Sequence, residues 1–111
     1  MNTQGWIRGI MAKNMEPEKF LAHVAECLER EFEMESGINR KEDLYLIRLG
    51  AYKIQVNDAD LSKLKLKGAY CLDAYLLDQL QSQGFEFDKH RSQYIRYVYG
   101  NFYRTKDGCV Y

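Results

Sequence analysis

The feature that most constrains the fold is a change in hydrophobic spacing along the chain. Between Met15 and Gly37, apolar residues recur at the spacing of an amphipathic α-helix. Pro17 suits the first turn of such a helix, and Gly37 suits its end. From residue 44 to residue 56, apolar and polar residues alternate instead, which is typical of β-strands. The chain therefore needs both helix and sheet, and the sequence predicts an α+β domain.

The predicted helix over residues 15–37 has an apolar side and an acidic side. The apolar side contains Phe20, Leu21, Val24, Ala25, Cys27, Leu28 and Phe32. The acidic side contains Glu18, Glu26, Glu29 and Glu33. Residues 16–43 hold nine acidic and four basic residues, in a chain whose formal net charge is zero. This acidic face is one candidate surface for a protein partner, and a simple solvated helix face is the alternative.

The alternating stretch predicts a small antiparallel sheet. Side chains alternate most clearly over residues 52–56, where Lys53 and Gln55 share the polar face. We expect a hairpin in which residues 44–48 pair with residues 52–56 and the chain turns near Gly50. One bent strand is the alternative.

Two helices are predicted after the sheet. The first is a short helical turn over residues 59–68, which Asn57 can cap, and the second is a firmer helix over residues 69–84. Both segments end at a glycine. Residues 1–14, by contrast, have weak periodicity and are expected to be loosely ordered. Residues 15–111 then form a single domain, in keeping with the length of the chain.

The tyrosine-rich stretch of residues 88–104 has two possible structures. Its residues have high strand propensity, yet at helical spacing they separate into an apolar arc and a polar arc. Periodicity favours a helix with Asp88 as N-cap, and a hairpin that turns at Gly100 and Asn101 is the alternative. The helix would present a small basic and aromatic face, of a kind that contacts phosphates or a protein partner. That face consists of Lys89, Gln93, Arg96, Tyr97 and Arg104.

Two short segments resemble the ribbon-helix-helix family of DNA-binding proteins. The segment RSQYIR, Arg91–Arg96, is similar to the start of the second helix of that family, and YKIQVND, Tyr52–Asp58, is similar to its ribbon strand. The resemblance implies that two chains pair these strands in a major groove, where Lys53 and Gln55 read bases. The chain differs from the family in its long helix before the ribbon and in an interruption at Gly68. A DNA-binding regulator of this type is the alternative function.

Two charged residues, Asp73 and Arg91, fall within apolar arcs of the predicted helices. A buried charge is costly unless an opposite charge lies beside it, so the sequence predicts an ion pair between these two residues. In the alternative arrangement, Arg91 extends along the surface to solvent and Asp73 points to water.

The sequence contains no recognisable catalytic or metal-binding motif. His23 and Cys27 are one helical turn apart, but they fit a core or boundary role better than that of metal ligands. Cys71 and His90 could be imagined as a nucleophile and its base, although nothing in the sequence brings them together. We therefore expect no enzymatic activity, no metal and no cofactor.

Composition indicates where and how such a protein acts. Sixteen basic residues balance sixteen acidic ones, and three widely spaced cysteines are typical of a reduced, cytoplasmic protein. No apolar run is long enough to cross a membrane. Nine tyrosines favour an interface, and self-association as a homodimer is one such interface. The sequence predicts a small non-catalytic cytoplasmic binding or regulatory protein that acts through protein–protein contacts, such as a bacterial or phage accessory protein.

Overall fold

The described part of the chain contains both α-helices and an antiparallel β-sheet. The computed structural model describes residues 3–99, 104–105 and 108–109, with side chains over residues 7–99. The helices are α1 (Thr3–Asn14), α2 (Pro17–Phe32), α3 (Asp58–Lys67), α4 (Cys71–Ser82) and α5 (Gln93–Val98). The strands are β1 (Ser36–Lys41), β2 (Leu44–Leu49), β3 (Tyr52–Asn57), β4 (Arg104–Thr105) and β5 (Gly108–Cys109). The predicted α+β class is confirmed.

Strands β1, β2 and β3 form an antiparallel sheet in that order. The predicted hairpin corresponds to β2 and β3 and is confirmed, each strand extending one residue further than expected. Gly50 occupies the turn between them with a φ of +61°, a left-handed conformation that glycine adopts without strain. Ile38, Ile47 and Ile54 lie opposite one another across the three strands, on the face that packs into the core.

Helix α2 ends earlier than predicted, at Phe32, because Glu33 adopts the left-handed conformation with φ 52° and ψ 48°. The N–H of Glu33 donates to the carbonyl of Glu29, which closes the last turn. Glycine is the usual residue at such a position, so the prediction that the helix runs on to Gly37 was wrong. The early stop leaves Ser36–Lys41 to form β1, a strand that the sequence analysis did not predict.

The expectation that residues 1–14 are loosely ordered is also wrong, because Thr3–Asn14 form helix α1. Ala12 of this helix is buried in the core, and so is the charged residue Arg8. Hydrophobic periodicity did not reveal the helix because one of its anchoring side chains is an arginine.

The sequence signals at the ends of α3 and α4 are confirmed. The Asn57 side chain caps α3 by accepting a hydrogen bond from the backbone N–H of Asp60 (2.7 Å). Gly68 follows the last residue of α3. Gly84 follows α4 with a φ of +101°, the left-handed region in which a glycine avoids strain.

The helix predicted within residues 88–104 is confirmed only for the six residues of α5. Its N-cap is Ser92, whose hydroxyl accepts a hydrogen bond from a backbone N–H of the first turn (3.1 Å), and Asp88 is not the cap. Further along the chain, β4 pairs with β5. Gly100 and Asn101, where the alternative hairpin would turn, lie outside the described residues.

One hydrophobic core joins the inner face of the sheet to the helices. Phe20 and Leu28 of α2 are fully buried against it, as are Leu72 and Leu76 of α4. Burying an apolar side chain of this size stabilises the folded state by about 1.5–3 kcal/mol. Helices α2 and α4 therefore lie on the inner side of the sheet, and the opposite face of the sheet points away from the core.

Candidate functional site

The face of the three-stranded sheet that points away from the core is polar and open. Strand pairing arranges its side chains in three rows, each of which crosses β1, β2 and β3. The rows are Gly37, Arg48 and Lys53; Asn39, Leu46 and Gln55; and Lys41, Leu44 and Asn57. We call these nine residues the outer sheet face. Six of them are exposed, and the first two rows line a shallow open depression.

The outer sheet face is positively charged. Lys41, Arg48 and Lys53 supply three positive charges, and no carboxylate occupies any of the nine positions. Within residues 7–99, none of these three side chains forms an ion pair. The carboxylates that flank the face in sequence, just before and just after β1, are Glu35, Glu42 and Asp43.

Arg48 and Lys53 lie directly opposite each other in the pairing of β2 with β3. Like charges at such positions repel each other and destabilise a sheet. The Arg48 guanidinium extends over Gly37, where an added Cβ would lie 3.5 Å from its Nη2 atom. A local conflict of this kind, with no carboxylate among the nine residues to offset it, is typical of a functional position.

Side chains from α4 and its C-terminal end hold β3 in place at the edge of the sheet. The Tyr75 hydroxyl donates to the carbonyl of Gln55 (3.1 Å), and Nε2 of Gln83 donates to the carbonyl of Lys53 (2.7 Å). Open carbonyls at a sheet edge invite another strand, and here two of them are occupied. The strand that resembles a two-chain ribbon is instead paired with β2 of its own chain. Lys53 and Gln55 lie side by side on the exposed surface and have a fixed backbone.

The acidic residues predicted as a binding face lie on the side of α2 that is remote from the core. They are Glu18, Glu26, Glu29 and Glu33, of which Glu29 is half-buried and the others are exposed. Arg40 of β1 lies 3.7 Å from Glu18, and Arg30 lies 3.3 Å from Glu26. The Ser36 hydroxyl donates to Glu29 (2.5 Å). Three of the four carboxylates are thus engaged within the chain.

The basic and aromatic face predicted near α5 is only partly assembled. Nε2 of Gln93 donates to the hydroxyl of Tyr97 (2.7 Å), so these two side chains contact each other. Nζ of Lys89 lies 4.7 Å from the centre of a tyrosine ring that it covers. Arg96 is exposed, and the side chain of Arg104 lies outside the described residues.

The predicted ion pair between Asp73 and Arg91 is wrong. Asp73 is fully buried and pairs with Arg8 of α1, whose Nη1 lies 2.5 Å from its carboxylate. The Tyr94 hydroxyl donates a hydrogen bond to the second oxygen of the same carboxylate. Arg91 pairs instead with Glu31 of α2 (2.7 Å). Asp73 does need a cationic partner, but that partner comes from the segment that was expected to be loosely ordered.

Arg8 is the centre of a buried polar cluster that joins α1, α2 and α4. Its guanidinium lies 4.7 Å from the centre of the Tyr70 ring, and its Nη2 lies 3.4 Å from Sγ of Cys27. Nε2 of His23 lies 3.6 Å from the same sulfur. Burial, with a contribution from the Arg8 charge, lowers the pKa of His23, and burial raises the pKa of Tyr94 well above its ordinary value. The groups of this cluster contact one another, so each buried charge and polar atom among them has a partner within the chain.

Neither a metal site nor a membrane span is found in the part of the chain that the structure describes. No three His, Cys, Asp or Glu side chains gather there in a way that suits a metal ion. The helices there are too short or too polar to cross a bilayer. Comparison of the chain with protein-family models, curated proteins and solved structures finds no significant match.

Sequence reasoning found two of the nine residues of the outer sheet face, Lys53 and Gln55, from the alternation in β3. Arg48 lies in the predicted hairpin, and the same alternation in β2 could have placed it on the polar side. Asn39 and Lys41 were missed because β1 was not predicted. The strand signal there is weak, since SGINRK contains a single β-branched residue.

Proposed function

We propose that this is a non-catalytic binding protein whose outer sheet face binds a partner that carries negative charge. The observation that carries the proposal is the opposed pair of Arg48 and Lys53, which lies on a face without carboxylates. The face offers ammonium, guanidinium and amide groups as hydrogen-bond donors. Its nine residues include no cysteine, serine, threonine, histidine or carboxylate, so the face is suited to bind an anion rather than to transfer protons or groups.

The charge distribution also favours one orientation of the partner. The formal net charge of the chain is zero, so attraction comes from this one face and not from the protein as a whole. The exposed carboxylates of α2 lie on the side of that helix remote from the core, and they repel the same partner. Ionic strength screens exposed charges over about 8 Å at physiological salt, so binding should weaken as salt rises. On this proposal the protein is a small cytoplasmic regulator, and the free thiols of Cys27 and Cys71 fit a reducing compartment.

Substitution of Lys53 by glutamate should stabilise the fold and weaken binding at the same time. Glutamate at this position faces Arg48 directly, so repulsion becomes attraction, which should raise the free energy of unfolding by about 0.2–1 kcal/mol. The same change removes positive charge from the face, so the variant should elute from immobilised heparin at lower salt. Urea unfolding followed by circular dichroism measures the first effect, and a salt gradient on the heparin column measures the second.

The matched control is Lys63→Glu, which makes the same change of charge at an exposed position of α3. This control should keep most of the retention of the unsubstituted protein. Equal loss of retention in the two variants would show that heparin responds to net charge alone and would contradict the proposed face.

A further inference from the structure

We infer that the anionic partner is double-stranded DNA and that the outer sheet face contacts it in the major groove. The inference rests on the proposed function and names the partner of the same face. Six of the nine side chains are cations or amides, and five of them are available on the exposed surface of one sheet, because the oxygen of the sixth, Asn57, already caps α3. The three amides are Asn39, Gln55 and Asn57.

The side-chain types match the hydrogen-bonding pattern of base edges in the major groove. Arginine and lysine donate to O6 and N7 of guanine, and asparagine and glutamine pair with N6 and N7 of adenine. Arg48, Lys53, Asn39 and Gln55 occupy two adjacent rows of the face, so one site offers both kinds of contact. An acidic protein partner would also make use of the cations, but a base edge of duplex DNA offers the amides a donor and an acceptor at a fixed spacing.

The dimensions of the face also fit. Neighbouring strands lie about 4.8 Å apart, so the axes of β1 and β3 are about 10 Å apart, which is comparable to the width of the major groove of B-form DNA, about 12 Å. The anchoring of β3 by Tyr75 and Gln83 keeps the edge of the sheet rigid, which preserves the spacing of the side chains. The row that contains Arg48 and Lys53 holds two of the three cations of the face, so this end makes the closer approach to phosphates.

Other nucleic acids fit the face less well. Proteins that bind single strands stack bases on aromatic rings, and no aromatic residue occupies any of the nine positions. The major groove of A-form RNA is deep and too narrow for side chains to enter. Duplex DNA is the nucleic acid that a flat, amide-rich and basic sheet can contact through both its phosphates and its base edges.

The test is fluorescence anisotropy of the full chain with three labelled probes: a short duplex DNA of random sequence, one of its single strands, and a poly-glutamate peptide. The duplex should bind most tightly. If all three cations contact phosphates, affinity should fall about 40-fold between roughly 50 and 200 mM salt, which corresponds to a slope of about −2.7. The variant Lys53→Ala should lose about one contact, so the fall becomes about 12-fold, whereas Lys63→Ala should behave as the unsubstituted chain does.

A second readout locates the groove. Dimethyl sulfate methylates N7 of guanine in the major groove and N3 of adenine in the minor groove. Bound protein should protect guanine N7 and leave adenine N3 reactive, and the reverse pattern would overturn the major-groove assignment. The variant Gln55→Ala should keep the salt slope of the unsubstituted chain, because an amide releases no counterions.

The outcomes separate the two proposals. Equal affinity for single strand and duplex, or preference for poly-glutamate, would overturn the assignment of duplex DNA and leave an anion-binding face. The proposed function would be overturned as well if the chain bound none of the three probes and if Lys53→Glu left retention on heparin unchanged.

Discussion

Replacing Asp73 with alanine is expected to lower the free energy of unfolding by about 3–5 kcal/mol, because the substitution leaves the buried guanidinium of Arg8 without its counter-charge. Arg8 is 5% exposed and Asp73 is completely buried, so solvent cannot replace the lost contact. The Tyr94 hydroxyl loses its acceptor at the same time. Urea unfolding followed by circular dichroism measures the change.

The matched control for this prediction is Asp78→Ala, an exposed position of the same helix whose carboxylate accepts a long hydrogen bond (3.4 Å) from the hydroxyl of Tyr99 at the surface. A surface change of this kind typically alters stability by no more than about 0.5 kcal/mol. A double-mutant cycle between Asp73 and Arg8 should show strong coupling, while a cycle between Asp73 and Arg91 should be additive within about 0.5 kcal/mol. Equal and small losses for Asp73→Ala and Asp78→Ala would contradict the assignment of a buried ion pair.

The second large effect is expected from Arg8→Ala. This variant leaves the Asp73 carboxylate buried and unpaired, and it should also cost about 3–5 kcal/mol. Hydrogen exchange should show a concurrent loss of amide protection in α1, because Arg8 is the residue of α1 that contacts Asp73 in α4. Lys13→Ala, an exposed change in the last turn of the same helix, should have little effect.

A triple variant distinguishes the cost of an unpaired buried charge from the cost of lost side-chain packing. The triple variant Arg8→Met, Asp73→Leu and Tyr94→Phe removes both charges of the buried pair and the hydroxyl that donates to Asp73, and such replacements of buried pairs are often neutral or stabilising. It should therefore recover most of the stability that either single alanine variant loses. If the triple variant were as unstable as Arg8→Ala, loss of packing by the arginine stem would explain the effect better than an unpaired charge.

The sequence predicted the elements whose ends depend on local chemistry. Pro17 begins α2, Asn57 caps α3, and glycines follow α3 and α4, because each of these residues favours one backbone geometry independently of distant contacts. The polar alternation of β3 likewise placed Lys53 and Gln55 on one face, since successive strand residues point to opposite sides.

What the sequence did not predict depends on contacts between distant residues. Glu33 takes a left-handed conformation that glutamate rarely adopts. Because the sequence does not indicate that α2 ends there, it does not predict that Ser36–Lys41 form a strand. The partner of Asp73 lies 65 residues away, at Arg8, and no periodicity could identify it. The row of Gly37, Arg48 and Lys53 exists only once three strands are paired in this register.

On the proposed function, the outer sheet face is the binding surface. Its most direct test is a titration of the isotope-labelled protein with a short heparin oligosaccharide, followed through the backbone amide resonances. We predict that shifts concentrate at Asn39, Leu46, Arg48, Lys53 and Gln55, while the acidic side of α2 stays unchanged. Shifts concentrated around Arg96 on α5, with the sheet unaffected, would contradict the account.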